Sequence, residues 1–293
     1  MTTARDGEPL DKFRGTNKLG RLSLLFVQND YSRFFFAACL AATPALAGAF
    51  MQAPEQGQVI AQLSFVEAGR SYDVYGRPVA IPAWRKLELS TYGEYGLADW
   101  FTVIGEPSWF NFHVSPPKYV LPPQTAWNIE RLGATMAGAR VLVYEWGDNI
   151  LSVQAVARYS AGGQDALNFV EMGRRLQADL RLLFGRRIEL MGMPGYVDVQ
   201  AAFRTDGPFG NQARVDMTIA LKPFARTTLM LQSFTAVTPG PLGARFAMSQ
   251  KAQASMLFDV ADTLAVQLGA LVALRGVNCG AERGLVSGAW WLF

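Results

Sequence analysis

A period of two runs through most of this chain. In "QARVDMTIALK", Gln212, Arg214, Asp216, Thr218 and Lys222 fall on one parity, and Ala213, Val215, Met217, Ile219 and Leu221 on the other. A helix would scatter those charges over several faces, whereas a strand puts one set on each face. In "YVDVQAAFR", Asp198, Gln200 and Arg204 oppose Val197, Val199 and Phe203. In "RKLELSTYGEYGL", Lys86, Glu88, Ser90, Tyr92 and Glu94 oppose Leu87, Leu89, Thr91, Tyr95 and Leu97. In "FVEMGRRLQADLRLLF", Glu171, Arg175, Gln177, Asp179 and Arg181 oppose Val170, Met172, Leu176, Leu180 and Leu182, with Arg174 as an exception on the apolar parity.

Extended along the chain, the pattern predicts about twelve strands, over 57–66, 86–97, 100–110, 131–145, 150–160, 169–184, 195–204, 212–222, 226–237, 245–258, 263–275 and 284–293. Their lengths lie near the ~9–11 residues with which a tilted strand crosses a bilayer. The gaps alternate too. Those at 98–99, 146–149, 222–225 and 260–262 are short, while 67–85 and 111–130 are long and rich in Gly and Pro. Short periplasmic turns and long external loops are the mark of an outer-membrane barrel. The gap 185–194 breaks this rule. The predicted fold is all-β: a transmembrane antiparallel up-and-down β-barrel of about twelve strands, spanning residues 48–293.

The soluble rival is a β-sandwich, which also alternates. A sandwich would spread charge over strands and loops alike. Here charge collects on one strand face, and only 17% of the 293 residues are charged, against a usual quarter or so. No run of about 18 apolar residues provides a transmembrane helix. The net charge of +3 comes without a basic run, so nothing indicates a nucleic-acid partner.

Residues 1–47 read as an N-terminal extension and secretory signal peptide. Arg33 supplies the positive end, 34–42 the apolar core, and Ala45-Leu46-Ala47 an A-x-A cleavage site after Ala47, so that the mature chain is expected to begin at Gly48 or Ala49. The polar stretch before Arg33 is longer than a signal needs and points to an initiator nearer Val27. Cys39 follows "FAA", a poor lipoprotein match. With the extension removed, Cys279 is the remaining thiol, and an intrachain disulfide is impossible.

The chain ends on "GLVSGAWWLF". Leu285, Ser287, Ala289, Trp291 and Phe293 share a face, expected toward lipid. Gly288, Trp291 and Phe293 resemble the C-terminal signal read by the barrel assembly machinery, although Val286 replaces the usual polar residue. The last strand should pair with the first and leave no free edge. Tyr92, Tyr95, Trp100, Trp127, Tyr144, Trp146 and Tyr159 lie near inferred strand ends, where aromatic girdles sit.

The inward face is predicted to carry Lys86, Glu88, Tyr92, Glu94, Arg158, Glu171, Arg175, Asp179, Arg181, Asp198, Gln200, Arg204, Arg214, Asp216 and Lys251. Gln154, Gln177, Gln232 and Gln267 add neutral groups of the kind that hydrogen-bond sugar hydroxyls. Mixed charge suits either a paired network or a narrow wet lumen. Few residues precede the first strand, so no separate plug domain is expected.

Catalysis is not indicated. The chain has one histidine, His113, read as lying in the Pro-rich loop 111–126 rather than on a strand face. A serine nucleophile lacks a base there. No His/Cys cluster suggests a metal, and no cofactor is implied. Asp198 with Asp216, or Glu88 with Glu94, are carboxylate pairs that alternation alone would produce.

Five stretches, "RKLELSTYGEYGLADWFTV", "GARVLVYEWGDNILSVQAVAR", "QADLRLLFGR", "GYVDVQAAFR" and "RVDMTIALKPFARTTLMLQSF", taken in order resemble the XagA-like outer-membrane proteins of biofilm and surface-polysaccharide clusters. The resemblance covers about residues 57–293. It implies a non-enzymatic accessory or channel role beside a glycosyltransferase system, and assigns no catalytic residue. The "EYGL-D" stretch is shared with other outer-membrane barrels, including those linked to meta-cleavage pathways. The alternatives are a small diffusion channel for apolar or aromatic compounds and a closed structural barrel.

Overall fold

A computed structural model describes residues 48–115, 127–160, 175–207, 210–240 and 246–293. The predicted signal segment lies outside them, as do Glu171 and Arg174. The elements are β1 (Gly57–Tyr72), β2 (Pro78–Ala98), β3 (Phe101–Glu106), β4 (Ser108–Val114), β5 (Trp127–Leu132), β6 (Ala134–Trp146), β7 (Asn149–Ser160), β8 (Arg175–Leu190), β9 (Met193–Gly207), β10 (Gly210–Phe224), β11 (Thr227–Thr238), β12 (Ala247–Ala261), β13 (Leu264–Val277), β14 (Cys279–Gly280) and β15 (Arg283–Leu292).

They form one antiparallel sheet that closes on itself. β1 pairs with β2 through Gln58↔Glu94 and Ser64↔Glu88, and with β15 through Val59↔Trp291 and Phe65↔Leu285. Three staves are interrupted. β3 and β4 are one stave broken at Pro107, which has no N–H to give the ladder. β5 and β6 are one stave broken at Gly133, and β14 continues into β15. The barrel therefore has twelve staves.

Five tight turns join staves at the end that also holds Gly57 and Phe293: Asp99–Trp100, Gly147–Asp148, Met191–Gly192, Ala225–Arg226 and Asp262–Thr263. Met191 and Gly192 both have positive φ, 54° and 75°, the geometry that lets a two-residue turn follow strand twist. The segment 185–194 thus obeys the rule that it was expected to break. Alternation had set that stave at 169–184, whereas its described part runs from Arg175 to Leu190. The ladder continues through Gly185, Arg186 and Arg187, from Gly185↔Asp198 to Leu190↔Met193.

The expected long loop 67–85 is mostly strand, and only 73–77 connects β1 to β2. Pro82 falls in the register shift after Ala68↔Trp84, where its missing N–H costs no ladder bond. The expected gap 111–130 likewise shrinks, because β4 runs to Val114 and β5 starts at Trp127.

The outward face is apolar. Leu63, Leu89, Leu180, Leu182, Val215, Met217, Leu231 and Leu268 are all exposed. An exposed belt of this kind is what lipid-facing strands require, and the sheet closes through β1, which pairs with both β2 and β15. Aromatic rings gather at the turn end: Tyr144 and Trp146 stack at 5.3 Å, Trp146 meets Phe184 at 6.1 Å, and Tyr95 stacks on Phe293 at 6.4 Å. Trp100 and Trp291 are exposed there too. Tyr92 does not join this girdle, because its hydroxyl points inward to Glu94. Outward charges sit toward the rims, such as Arg283 with Glu67 at 2.7 Å.

Candidate functional site: the lumen

The inward face divides into two zones along the barrel axis. At the turn end, Gly48–Gln56 does not lead away from β1 but runs inside the barrel. Of the residues before β1, the described ones, Gly48–Gln56, occupy the lumen. Pro54 makes a parallel bridge to Gly96, Glu55 N–H donates to Gly96 O at 3.0 Å, and Gly96 N–H donates to Gln56 O at 2.9 Å. Ala49 N–H donates to Asp198 Oδ2 at 2.7 Å, and Ser152 Oγ donates to Ala49 O at 3.0 Å. Arg140 Nη1 donates to Phe50 O at 2.8 Å, and Gln52 Nε2 to Glu94 Oε2 at 2.9 Å.

The wall is shaped to admit this strap. A Cβ added to Gly96 would collide with the Gln52 and Ala53 carbonyls, and one added to Gly185 would stand 2.9 Å from the Phe50 ring and 3.0 Å from Ala49 Cβ. Phe50 meets Tyr196 edge-on at 5.7 Å. Around it pack Ile60, Ile150, Leu183, Met230, Leu257 and Trp290. This end of the barrel is a core in the ordinary sense, with apolar side chains of many staves in one cluster.

Beside that cluster, Arg140 on β6 is 1% exposed and pairs with Glu94 on β2 at 2.6 Å. Gln154 accepts from Arg140 Nη2 at 3.1 Å, Gln58 Nε2 donates to Glu94 at 3.1 Å, and the Tyr92 hydroxyl donates to Glu94. Two charges out of water survive only when paired and fully hydrogen-bonded, and this pair meets the condition.

The far zone is different. Asp179 lies between Arg181 and Arg204, at 2.8 Å from each. Arg181 reaches on to Asp216 at 3.2 Å and to Gln200 at 2.9 Å, and Arg214 stands 3.8 Å from Asp216. Across the lumen, Lys86 pairs with Glu88 at 2.8 Å and lies 5.1 Å from the Phe110 ring centre. Arg131 lies 5.4 Å from the same ring, and Trp84 meets Phe112 at 5.5 Å. Lys251 pairs with Glu282. Nearer the turn end, where Thr218 stands opposite Asp198 and Ser255 opposite Met230, a run of neutral groups is linked on β10–β12: Gln232 to Thr218 at 3.3 Å, and Gln253 to Gln232 and to Ser255, both at 3.0 Å. Gln267 accepts from Trp290 Nε1 at 2.9 Å.

Of the residues assigned to the lumen from sequence, Lys86, Glu88, Tyr92, Glu94, Asp179, Arg181, Asp198, Gln200, Arg204, Arg214, Asp216 and Lys251 make the inward contacts above or share a stave parity with them. Arg158 on β7 is on the parity of Gln154 and Ser152. Arg175 opens β8 on the parity of Asp179, and Glu171 is outside the described residues. The two carboxylate pairs considered from sequence are separated in role. Asp198 holds the strap and Asp216 holds Arg181, while Glu88 takes Lys86 and Glu94 takes Arg140.

His113 needs correction: it lies in β4, paired in register with Arg85 and Asn128. The strand runs on because Phe110 and Phe112 keep up the inward alternation almost to Pro116. That parity turns His113 outward, away from the lumen carboxylates. Among the described residues no cluster of His, Cys, Asp or Glu could hold a metal ion.

Sequence reasoning missed Arg140, the most deeply buried cation among the described residues of the site. Its signal was present: "ATMAGARVLVYEW" puts Met136, Gly138, Arg140 and Leu142 on one parity, with Arg140 as the one charge among them. Arg131 and Gln253 were missed in the same way.

No protein-family model matches the chain, and no curated protein does. Solved structures do. The COG4313 outer membrane channel from Pseudomonas putida F1 superposes with a TM-score of 0.63 at 12% identity, over 86% of this chain and 100% of that one. The NanC porin (TM-score 0.48, 8% identity, 80% of this chain and 98% of that one) and the KdgM porin in complex with disordered oligogalacturonate (0.43, 8%, 80% and 98%) are more distant. At such identities the likeness concerns the fold. With its closed twelve-stave sheet, its apolar belt and its aromatic turn end, the chain is a β-barrel of the bacterial outer membrane.

Proposed function

We propose that this barrel is a narrow, non-enzymatic channel or accessory that serves export or surface assembly of an exopolysaccharide. The observation that carries the reading is the linked run of neutral donors and acceptors, Thr218, Gln232, Gln253 and Ser255. Its staves, β10–β12, stand on the side of the barrel opposite the β3–β4 stave that carries Phe110 and Phe112. Sugars offer hydroxyls to the first wall and C–H faces to the second. The likeness to XagA-like proteins supports the same cargo and implies a glycosyltransferase system as partner, and the C-terminal Gly288, Trp291 and Phe293 point to the barrel assembly machinery. A strain lacking the gene is expected to lose biofilm and surface polysaccharide and to regain both on complementation. Normal biofilm in the deletion strain would contradict the reading.

A second reading is favoured by the apolar cluster at the turn end, where Ile60, Leu183, Met230 and Leu257 face inward. A channel for small apolar or aromatic compounds would use such a surface. Proteoliposomes separate the two: uptake of a neutral oligosaccharide supports the first, and uptake of an aromatic acid with exclusion of the sugar supports the second. A barrel that passes neither is a structural one.

A further inference from the structure

Asp198 presents an unusual problem of charge. It is 1% exposed, and it accepts hydrogen bonds from two neutral donors, Gln200 Nε2 and Ala49 N–H, each at 2.7 Å. Its ladder neighbours on the adjoining staves are Gly185 and Thr218. Every other deeply buried carboxylate described above, Glu94 and Asp179, has an arginine in direct contact. A buried carboxylate held only by neutral groups is costly unless a cation completes the site.

The backbone at Gly48 lies against this carboxylate. A Cβ on Gly48 would stand 2.9 Å from Asp198 Oδ1, with the rest of the carboxyl group nearer still. The Gly48 nitrogen is bonded to the same Cα, which puts it within about 5 Å of that oxygen. Its φ of 129° and the crowding admit no side chain there. In the sequence, Gly48 is the residue that directly follows the A-x-A site ending at Ala47.

We propose that hydrolysis of the Ala47–Gly48 bond creates the missing cation. Water adds across the peptide bond under a signal peptidase, Ala47 leaves as a carboxylate, and Gly48 keeps the new α-amino group, which is protonated. That ammonium pairs with Asp198 inside the barrel. The processed N-terminus is then the latch of the strap, and maturation itself fastens Gly48–Gln56 across the turn end of the lumen. The part of this that concerns gating rests on the channel reading above; the ion pair does not.

The test uses the mature protein purified from outer membranes. Mass spectrometry of its N-terminal peptide is expected to show Gly48 first. The α-amine is then labelled by reductive methylation with formaldehyde in the folded barrel. Wild type should label about tenfold more slowly than Asp198→Asn, as a group released only by local opening does. If the substitution blocks folding, seen as loss of heat-modifiable migration, a second variant decides. Two serines inserted between Ala47 and Gly48 move the ammonium away from Asp198 without touching the wall, and should label as fast as a free amine. A mature chain starting elsewhere, or equal labelling in all forms, overturns the proposal. Planar-bilayer recording runs in parallel. If both variants conduct more than wild type, the latch also gates. If no form conducts while the labelling contrast holds, the channel reading fails and the latch stands.

Discussion

The turn end and the far end of the lumen are built from the same alternating strands, yet one is a core and the other a vestibule. At the turn end the ion pair is dry, its hydrogen-bonding groups are satisfied by Tyr92, Gln58, Gln154 and the Phe50 carbonyl, and apolar side chains fill the remaining space. At the far end Lys86 and Glu88 keep about a third of their side-chain surface or somewhat less, 27% and 31%. The Lys86–Glu88 and Lys251–Glu282 pairs there are partly wet, although Asp179 and Arg204 are buried, and the Phe110 ring stands beside Lys86. The difference teaches that inward polarity does not by itself mean an open channel. What decides is whether a segment of chain comes back to cover the polar groups.

Substitutions can break that contrast. The largest effect is expected from Arg140→Met, which leaves Glu94 buried without its cation. Breaking such a pair costs about 3–5 kcal/mol, to be read as a lower urea midpoint for refolding into vesicles. An unchanged midpoint would mean that the turn end is wet after all. The matching change at the far end, Lys86→Gln, should cost less than about 1 kcal/mol, as partly exposed pairs do. It should nevertheless shift ion selectivity toward cations in bilayer recordings. A cost similar to that of Arg140→Met would erase the distinction between the two zones.

The smallest effect lies at the far rim, in the 73–77 turn. The Arg77 backbone N–H above all holds the Asp73 carboxyl below its ordinary value, helped by the Tyr75 N–H and the Arg77 guanidinium and opposed by desolvation. A lowered pKa in the folded form adds stability above the unfolded value of about 3.9, which is lost as pH falls through the folded value. Amide exchange at Tyr75 and Arg77, compared at matched intrinsic rates, should therefore quicken below about pH 4. The Asp73→Asn protein should show no such step.

Much of this architecture is readable from alternation. The staves, their faces and the outward register of Leu285, Ala289 and Trp291 on β15 follow from counting parity, because the side-chain period of a strand is two whatever its neighbours. Strand ends were less legible. Pro82, Gly185 and Arg186–Arg187 look like loop residues, and only the pairing of adjacent staves shows that the ladder runs past them. The strap was not legible at all. "GAFMQAPEQ" has no alternation, and its structure comes from long-range contacts to Asp198, Ser152, Arg140 and Gly96. In retrospect two clues existed. Gly96 and Gly185 leave gaps on the inward face where the strap lies, and Asp198 has no basic residue opposite it on either neighbouring stave.

The central claim is that Gly48–Gln56 lies inside the barrel and narrows its turn end. A disulfide between Gln52→Cys and Thr102→Cys, in a Cys279→Ser background, tests it most directly, since the Gln52 N–H donates to Thr102 Oγ1 at 3.2 Å and neither position is a glycine that the strap needs bare. The account predicts that the bond forms under mild oxidation in the folded, membrane-inserted barrel, and that single-channel conductance is low when oxidised and rises on reduction. Absence of the cross-link in a correctly folded barrel, or identical conductance before and after reduction, would contradict it.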